Sequence, residues 1–367
     1  MRPRAMNHGE GIGIHAVGLF LPDEVRTNDW WPTTVVEGWR DSFEQRLRQT
    51  GGGANAAEPT EGERLAREAM AALGDDPFRG AVERRVIDDG MTSSDMEVAA
   101  ARDALDRAEC RVEDIDLLIS HALVPDFLAT NNGCTVQHEL GLPQSCFVTS
   151  LDVAGNAFSQ QLEIASAMIA SGRCRRALVT QSCAQSRLLP VDEPHAPWFG
   201  DAASAVVIGP VTDGRGLVGS HHRTSGSLQG SLVAGVPGRR WYDDEAAIVY
   251  NASMDATRGL IRGLVDMAKE TVLAALTDAG VRPDDVDFYA CHQAFPWLRS
   301  VTQRHAGLSR ARYVDTFDWA ASVAAVNVPL VLAMGEREGL LRDGDLVATF
   351  TGGSGITCSS AVLRWGR

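Results

Sequence analysis

Apolar positions along this chain fall into arrangements that come round twice. From Ala104 a helical stretch ends in a polar, acidic turn, and an apolar run, Leu117 to Ile119, leads on to His121. From Ala275 the same succession ends at His292. The stretches Ala104–His121 and Ala275–His292 lie on one another without gaps, and Ala, Leu, Ala, Arg, Asp, Asp and His coincide. The pattern predicts helix, loop and buried parallel strand, because a strand covered on both faces is apolar throughout rather than alternating.

A second pair extends the repeat. A helix over Ser159–Ala170 precedes a strand at Ala177–Thr180, as Pro329–Leu341 precedes Leu346–Phe350. Small-residue segments follow, Phe199–Ile208 and Gly352–Leu363, each running from glycine into a strand, as a hairpin-like return does. Two related α/β halves are expected, residues 1–210 and 211–367, with an insertion or cap at about 30–85 in the first. That insertion carries Trp30-Trp31-Pro32, a Gly-rich piece from Gly51 to Pro59 and a charged helical stretch over Glu61–Leu73. The Gly-rich piece lacks the flanking strand and helix of a phosphate-binding loop and reads as a flexible connection.

Composition narrows the function classes. The 367 residues are 44% hydrophobic, enough to bury a sizeable core. A formal net charge of −14 without a compensating basic stripe argues against nucleic-acid or anionic-membrane partners. Seven cysteines form no CxxC pair and no Cys/His metal spacing, so no metal site is expected. An odd cysteine count, a polar Met1–Glu10 and no run of membrane-spanning length point to a cytoplasmic protein.

Specific motifs then resemble the ketoacyl-acyl-carrier-protein synthase type III branch of the thiolase superfamily. They begin with Gly11–Pro22, continue through Asp114–Leu118, Cys134–Gly141 and Phe199-Gly200-Asp201, and end with His292-Gln293-Ala294 and Gly352-Gly353. The resemblance implies a five-layered αβαβα sandwich, usually a homodimer, with the active site between the halves. It also implies a tunnel for a phosphopantetheine arm, an acyl carrier protein or coenzyme A thioester as substrate, and no permanently bound cofactor.

In this family a cysteine at a helix N-terminus takes the acyl group, and a histidine and an asparagine assist condensation. Anchored on Phe158 and the helix after it, the cysteine position falls on Gly155. The histidine is His292, and the residue following its triplet, an asparagine in the family, is Phe295. Anchored on Val328-Pro329, the catalytic asparagine falls on Ser322, with Asn327 nearby but out of register. Without a thiolate no acyl-enzyme forms, and a lost oxyanion-type donor alone costs roughly 3 to 4 kcal/mol of barrier.

These substitutions redirect the expected chemistry to direct transfer of an acyl group to an alcohol or amine, in specialised metabolism. Backbone N–H groups near Gly155 and in the Gly352–Gly355 loop would form the oxyanion hole, with Asn156, Gly353, Ser354 and Phe295 lining it or the tunnel. His292 would deprotonate the acceptor, and Ser322 would orient His292 or the acceptor. Two other readings compete: a noncatalytic partner of a cysteine-containing homologue, and a condensing enzyme with a displaced nucleophile such as Ser150, Ser159, Cys183 or Cys291. No arginine stands in the matching stretch just before Phe199-Gly200-Asp201 to hold an adenine, which favours a carrier-protein donor.

Overall fold

The computed structural model describes residues 11–39, 58–212, 214–243 and 246–367. The polar N-terminal ten residues and the Gly-rich piece at 51–57 lie outside these described residues. Two sheets carry the architecture. The first holds β1 (Gly11–Phe20), β7 (Ala202–Val211), β6 (Ala177–Cys183), β4 (Leu117–Ala122) and β5 (Phe147–Ser150), in that spatial order. The second holds β8 (Gly216–Thr224), β13 (Thr357–Arg364), β12 (Leu346–Gly353) and β11 (Phe288–Cys291). Between β8 and β11 in the chain, the short strands β9 (Val233–Gly235) and β10 (Ile248–Tyr250) pair with each other, antiparallel.

Matched in this order, the sheets pair alike: antiparallel β1/β7 and β7/β6 answer β8/β13 and β13/β12, and parallel β6/β4 answers β12/β11. The fifth strand of the second sheet is reduced to a parallel bridge between Phe288 and Arg312, at the place β5 takes beside β4. The repeat expected from the sequence is thus borne out strand by strand. Its two histidines occupy matching ends, His121 in β4 and His292 just after β11.

The layers follow from which face each strand buries. Helices α4 (Ala157–Ala170) and α7 (Asn327–Arg337) lie between the sheets, where Phe158, Leu162, Val328 and Val331 meet Ile119, Val179, Val347 and Leu363. Helices α2 (Ser93–Arg107) and α3 (Asn132–Leu140) cover the first sheet, through Met96, Ala101 and Val136 against Leu118, Leu178 and Val207. Helices α5 (Met254–Asp278) and α6 (Leu298–His305) cover the second, through Val265, Val272 and Leu298 against Tyr289, Phe350 and Val362. This is the five-layered αβαβα sandwich. Alternation explains it: successive residues of β12 point to opposite faces, Val347 to the middle layer and Ala348 to the outer one.

The insertion expected at about 30–85 is bracketed by a pair of strands. Strand β3 (Glu83–Val86) pairs with β2 (Glu24–Thr27), so only residues between these strands are inserted. Its helix α1 (Glu61–Ala72), capped by the Thr60 hydroxyl, docks on the second half, with Ala66 inside the core formed by α5 and α6. Asp266 on α5 fastens it, accepting from the Thr60 hydroxyl at 2.5 Å and lying 2.8 Å from His305 Nε2.

Candidate active site

Two tight turns meet where the sheets approach. Val153-Ala154-Gly155-Asn156 leads into α4 and Val323-Ala324-Ala325-Val326 into α7, and the turns pack against each other. They match residue for residue: Ala154 has φ +46° and Ala324 φ +48°, and the valine before each is neither helical nor extended. A left-handed alanine is strained, and such strain persists only where the surroundings fix it.

Backbone contact provides that fixation. A Cβ placed on Gly353, at the end of β12, would stand 2.2 Å from Val153 O, so the first turn and β12 touch backbone to backbone. Gly155 is held as tightly: a Cβ there would lie 2.4 Å from Gly352 O and 2.5 Å from His292 Cε1. The structure therefore brings Gly155, His292 and Gly352-Gly353 into one contact, from segments far apart in sequence. Gly352 itself has open space where its Cβ would be, with only Phe350 Cζ as near as 4.0 Å.

His292 continues the β11 ladder through its N–H to Phe350 O at 2.8 Å and is 6% exposed. Burial pushes its imidazole down to about 4, so the ring is neutral at physiological pH. The Gly352 N–H points at Nδ1 from 3.5 Å. A backbone N–H can only donate, so Nδ1 is the acceptor and Nε2 carries the proton. In this arrangement the ring offers a donor, whereas the expected acceptor-deprotonating role needs a bare Nε2.

The remaining expected residues divide. Ser322 is 3% exposed and strapped by backbone bonds to the segment before Asp201, its N–H to Trp198 O and its C=O from Gly200 N–H. The hydrogen bond that fixes the His292 ring comes from Gly352 instead. Phe295 stacks on Trp297, with centroids 5.3 Å apart and planes 3° from parallel. Ser354 follows β12 in the turn to β13. Asn156 is fully buried and its Oδ1 accepts from the Thr351 hydroxyl at 2.5 Å.

Three of the alternative nucleophiles, Ser159, Cys291 and Cys183, are poorly placed. Ser159 Oγ is buried 2.8 Å from Thr351 Oγ1. Cys291 faces the outer layer, 3.6 Å from Thr302 Oγ1, and burial pushes its thiol up to about 11. Burial holds the Cys183 thiol well above its ordinary value. Asp201, carried by the Phe199-Gly200-Asp201 motif, is a structural clasp, accepting from the N–H groups of Ile87 and Ser186 and from the Ser186 hydroxyl. A cavity of about 460 Å³ is lined by Thr92, Asp126, Phe127, Thr135 and Arg187, none of them part of this site. Among the described residues no group of three or more His, Cys, Asp or Glu could hold a metal ion, and no helix is long and apolar enough to cross a membrane.

Two duplicated halves that enclose a histidine, a glycine loop and a helix-capping turn define a thiolase-type acyl-transferring or condensing enzyme. Similarity to known proteins makes that class specific. Models of 3-oxoacyl-[acyl-carrier-protein] synthase III match residues 150–226 and, for its C-terminal part, 276–365. The β-ketoacyl-[acyl-carrier-protein] synthase III of Dinoroseobacter shibae is 31% identical over 297 residues, 78% of this chain and 89% of that protein. That of Geobacillus kaustophilus is 29% identical over 359 residues, 97% of this chain and 100% of its own. The crystal structure of the Aquifex aeolicus 3-oxoacyl-[acyl-carrier-protein] synthase III has the same fold, with TM-score 0.76 at 23% identity, covering 97% of this chain and 100% of that one. So has a variant of Xanthomonas campestris OleA with bound lauric acid and lauroyl-CoA, with TM-score 0.74 at 20% identity over 97% of this chain and 100% of that one. The chain belongs to the β-ketoacyl-[acyl-carrier-protein] synthase III family.

Proposed function

We propose that this family member transfers an acyl group from a phosphopantetheine thioester, borne by an acyl carrier protein or coenzyme A, directly to an amine or alcohol, in specialised metabolism. The observation that carries the reading is at Gly155: the position expected to hold a nucleophile has no side chain and no room for one, yet His292 and the glycine loop still close around it. A site kept in register without a nucleophile suits a ternary complex better than an acyl-enzyme.

In that complex the thioester carbonyl takes a hydrogen bond from His292 Nε2–H and from backbone N–H groups near Gly155, Gly353 and Ser354. The acceptor attacks the carbonyl carbon, the C–S bond breaks, and the acceptor's proton ends on the departing sulfur. With the proton already on Nε2, His292 polarises the carbonyl and leaves the acceptor to supply its own lone pair. A free amine does so at neutral pH and an alcohol does so poorly, so amines are the better acceptors. The lack of an arginine in the matching stretch just before Phe199 favours the carrier-protein donor, and a homodimer follows the family's habit.

Purified protein incubated with acyl-carrier and acyl-coenzyme A thioesters, with and without amines and alcohols, tests the reading by thiol release and intact mass. Acceptor-dependent release with no mass gain, lost in His292→Ala, is the expected result. A stable acyl adduct would sink the proposal. Replacement of both the cysteine and the asparagine positions favours a second reading, a noncatalytic partner of a cysteine-containing homologue, and silence across the whole panel would select it.

A further inference from the structure

His292 stands at the edge of its sheet. β11 has a full partner strand, β12, on one side only, whereas β4, which carries His121, is flanked by β6 and β5. Two bonds tie His292 to β12: its N–H donates to Phe350 O, and the Gly352 N–H reaches Nδ1 from 3.5 Å. The second is at the far limit of a hydrogen bond, so a displacement of a few tenths of an ångström breaks it and frees the ring. A ring that must present Nε2–H in one direction needs support from its open side as well.

Gln293 supplies that support. In place of a fifth strand, residues 312–317 run beside β11. At the near end backbone makes the join: Arg312 N–H donates to Asp287 O and Tyr289 N–H to Arg312 O, both at 2.8 Å, the bonds of a parallel bridge. At the histidine end the Gln293 side chain does so: Nε2–H donates to Val314 O at 2.8 Å, and Oε1 accepts from Thr316 N–H at 2.8 Å and Phe317 N–H at 3.2 Å. Its amide thus bonds to Val314 and Thr316, two residues apart, as Arg312 does to Asp287 and Tyr289, and acts as one more peptide group of β11. These partners fix which way the amide is turned, because a peptide carbonyl can only accept and a peptide N–H can only donate. The segment it grips is itself held, by Arg299 on Asp315 through bonds of 2.8 and 2.6 Å and, further on, by the straps of Ser322 to Trp198 and Gly200. Gln293 is 1% exposed, so water does not compete for its bonds.

We infer that Gln293 is a positioning residue for the proposed reaction: its side-chain amide prolongs the bonding of β11 to residues 312–317 and so holds His292 where the Gly352 N–H caps Nδ1 and the proton stays on Nε2. This rests on the thioester reading above and adds the residue on which the direction of the His292 donor depends. Gln293 touches neither thioester nor acceptor, and no bond to it is made or broken. Without its amide the end of β11 is tied to β12 alone. The 3.5 Å bond then opens, the imidazole samples both tautomers, and an Nε2 without its proton has nothing to donate to the carbonyl.

Two full-length variants of near-equal side-chain size test this. Gln293→Met removes all three bonds, and Gln293→Glu keeps the acceptor but loses the donor to Val314 O. The first readout needs no substrate: ¹⁵N NMR of the histidine side chains at neutral pH separates the two neutral tautomers, with the His292 signals identified by their loss in His292→Ala. Wild type is expected to show His292 as the Nε2–H form alone, and both variants a mixture. The second is thiol release: kcat for an acyl-carrier thioester should fall about tenfold or more in Gln293→Met while KM changes less than about twofold, since a reacting group displaced by about 1 Å loses on the order of 100-fold. A single Nε2–H form retained in both variants overturns the inference, as does a wild-type ring that is not one tautomer, or a loss that falls on KM instead of kcat. Wild type that releases no thiol from any thioester overturns the thioester reading, and the tautomer measurement still decides the role of Gln293. Gln293→Glu keeps the test decisive should Gln293→Met fail to fold.

Discussion

Gly155→Ala adds one methyl group at the most crowded point of the site. Its carbon would start 2.4 Å from Gly352 O and 2.5 Å from His292 Cε1, where ordinary contact begins at 3.4 Å, so something must retreat by roughly 1 Å. The carbonyl cannot yield cheaply, because the neighbouring Gly353 is already locked against Val153 O. The imidazole therefore moves, and it loses its geometry to the Gly352 N–H. Overpacking of this kind costs about 1–3 kcal/mol, a fall of a few degrees in Tm by differential scanning calorimetry. A reacting group misplaced by about 1 Å costs on the order of 100-fold in rate, so thiol release should fall by about that factor. Gly352→Ala is the control: an equal methyl group on the facing segment enters open space and should leave Tm nearly unchanged. Gly155→Cys should do worse than Gly155→Ala and should not acquire a covalent acyl group by intact mass. If Gly155→Cys accepts an acyl group at wild-type stability, the steric reasoning is wrong.

Further outcomes follow from the same geometry. His292 is held at about 4 against an ordinary 6.5, so the unfolded chain takes up a proton that the folded chain refuses. Stability should therefore decline as pH falls from about 6.5 to 4, and denaturation of His292→Gln across that interval should lack this share of the decline. With Nε2–H as the working donor, thiol release should show no loss of rate attributable to His292 between about pH 5 and 8, and a titration near the ordinary imidazole value of about 6.5 in that profile would contradict the assignment. Amines should outpace alcohols of equal size, with a rate that rises towards the amine's own pKa. Glu97 is buried under donors from Ser120, Thr180, Ser182 and Asn132, and burial pushes its carboxyl up to about 7 from 4.5. The folded chain thus holds that proton more tightly, stability should drop as pH rises from about 4.5 to 7, and Glu97→Gln should flatten the slope in chemical denaturation.

Much of the fold was legible because buried parallel strands declare themselves. Leu117 to Ile119 and Phe288 to Ala290 are apolar without alternation, and the histidine ending each run marks the same corner of each half. Gly155 was legible for a similar reason, since Phe158 and the helix after it fix the register of the turn. What escaped the sequence depends on partners distant in the chain. The donor to His292 is the backbone of Gly352, and no side-chain pattern reports which way a peptide N–H points. Thr351 meets Asn156 only because β12 and the N-terminus of α4 are brought together by the middle layer. The insertion's helix shows an amphipathic pattern but not its partner, and it docks on the half to which it does not belong in sequence.

The duplication also distinguishes the one of two equivalent turns on which the proposed chemistry rests. Both have a valine and a left-handed alanine leading into a middle-layer helix, but glycine follows at 155 and alanine at 325. Against Gly155 the histidine of the opposite half can pack with its ring edge in contact, and an alanine in that place would push it away. The two histidines have diverged to match. His121 Nδ1 lies 2.8 Å from Leu151 O, a carbonyl that can only accept, so its proton sits on Nδ1 and a bare Nε2 is left buried without a partner. His292 receives a backbone N–H at Nδ1 and carries its proton on Nε2. Two imidazoles at matching strand ends, both kept neutral by burial, are thus made opposite in hydrogen-bonding sense by one backbone group each. The donor that the proposed reaction calls for lies in the second half, beside the turn that has glycine at 155.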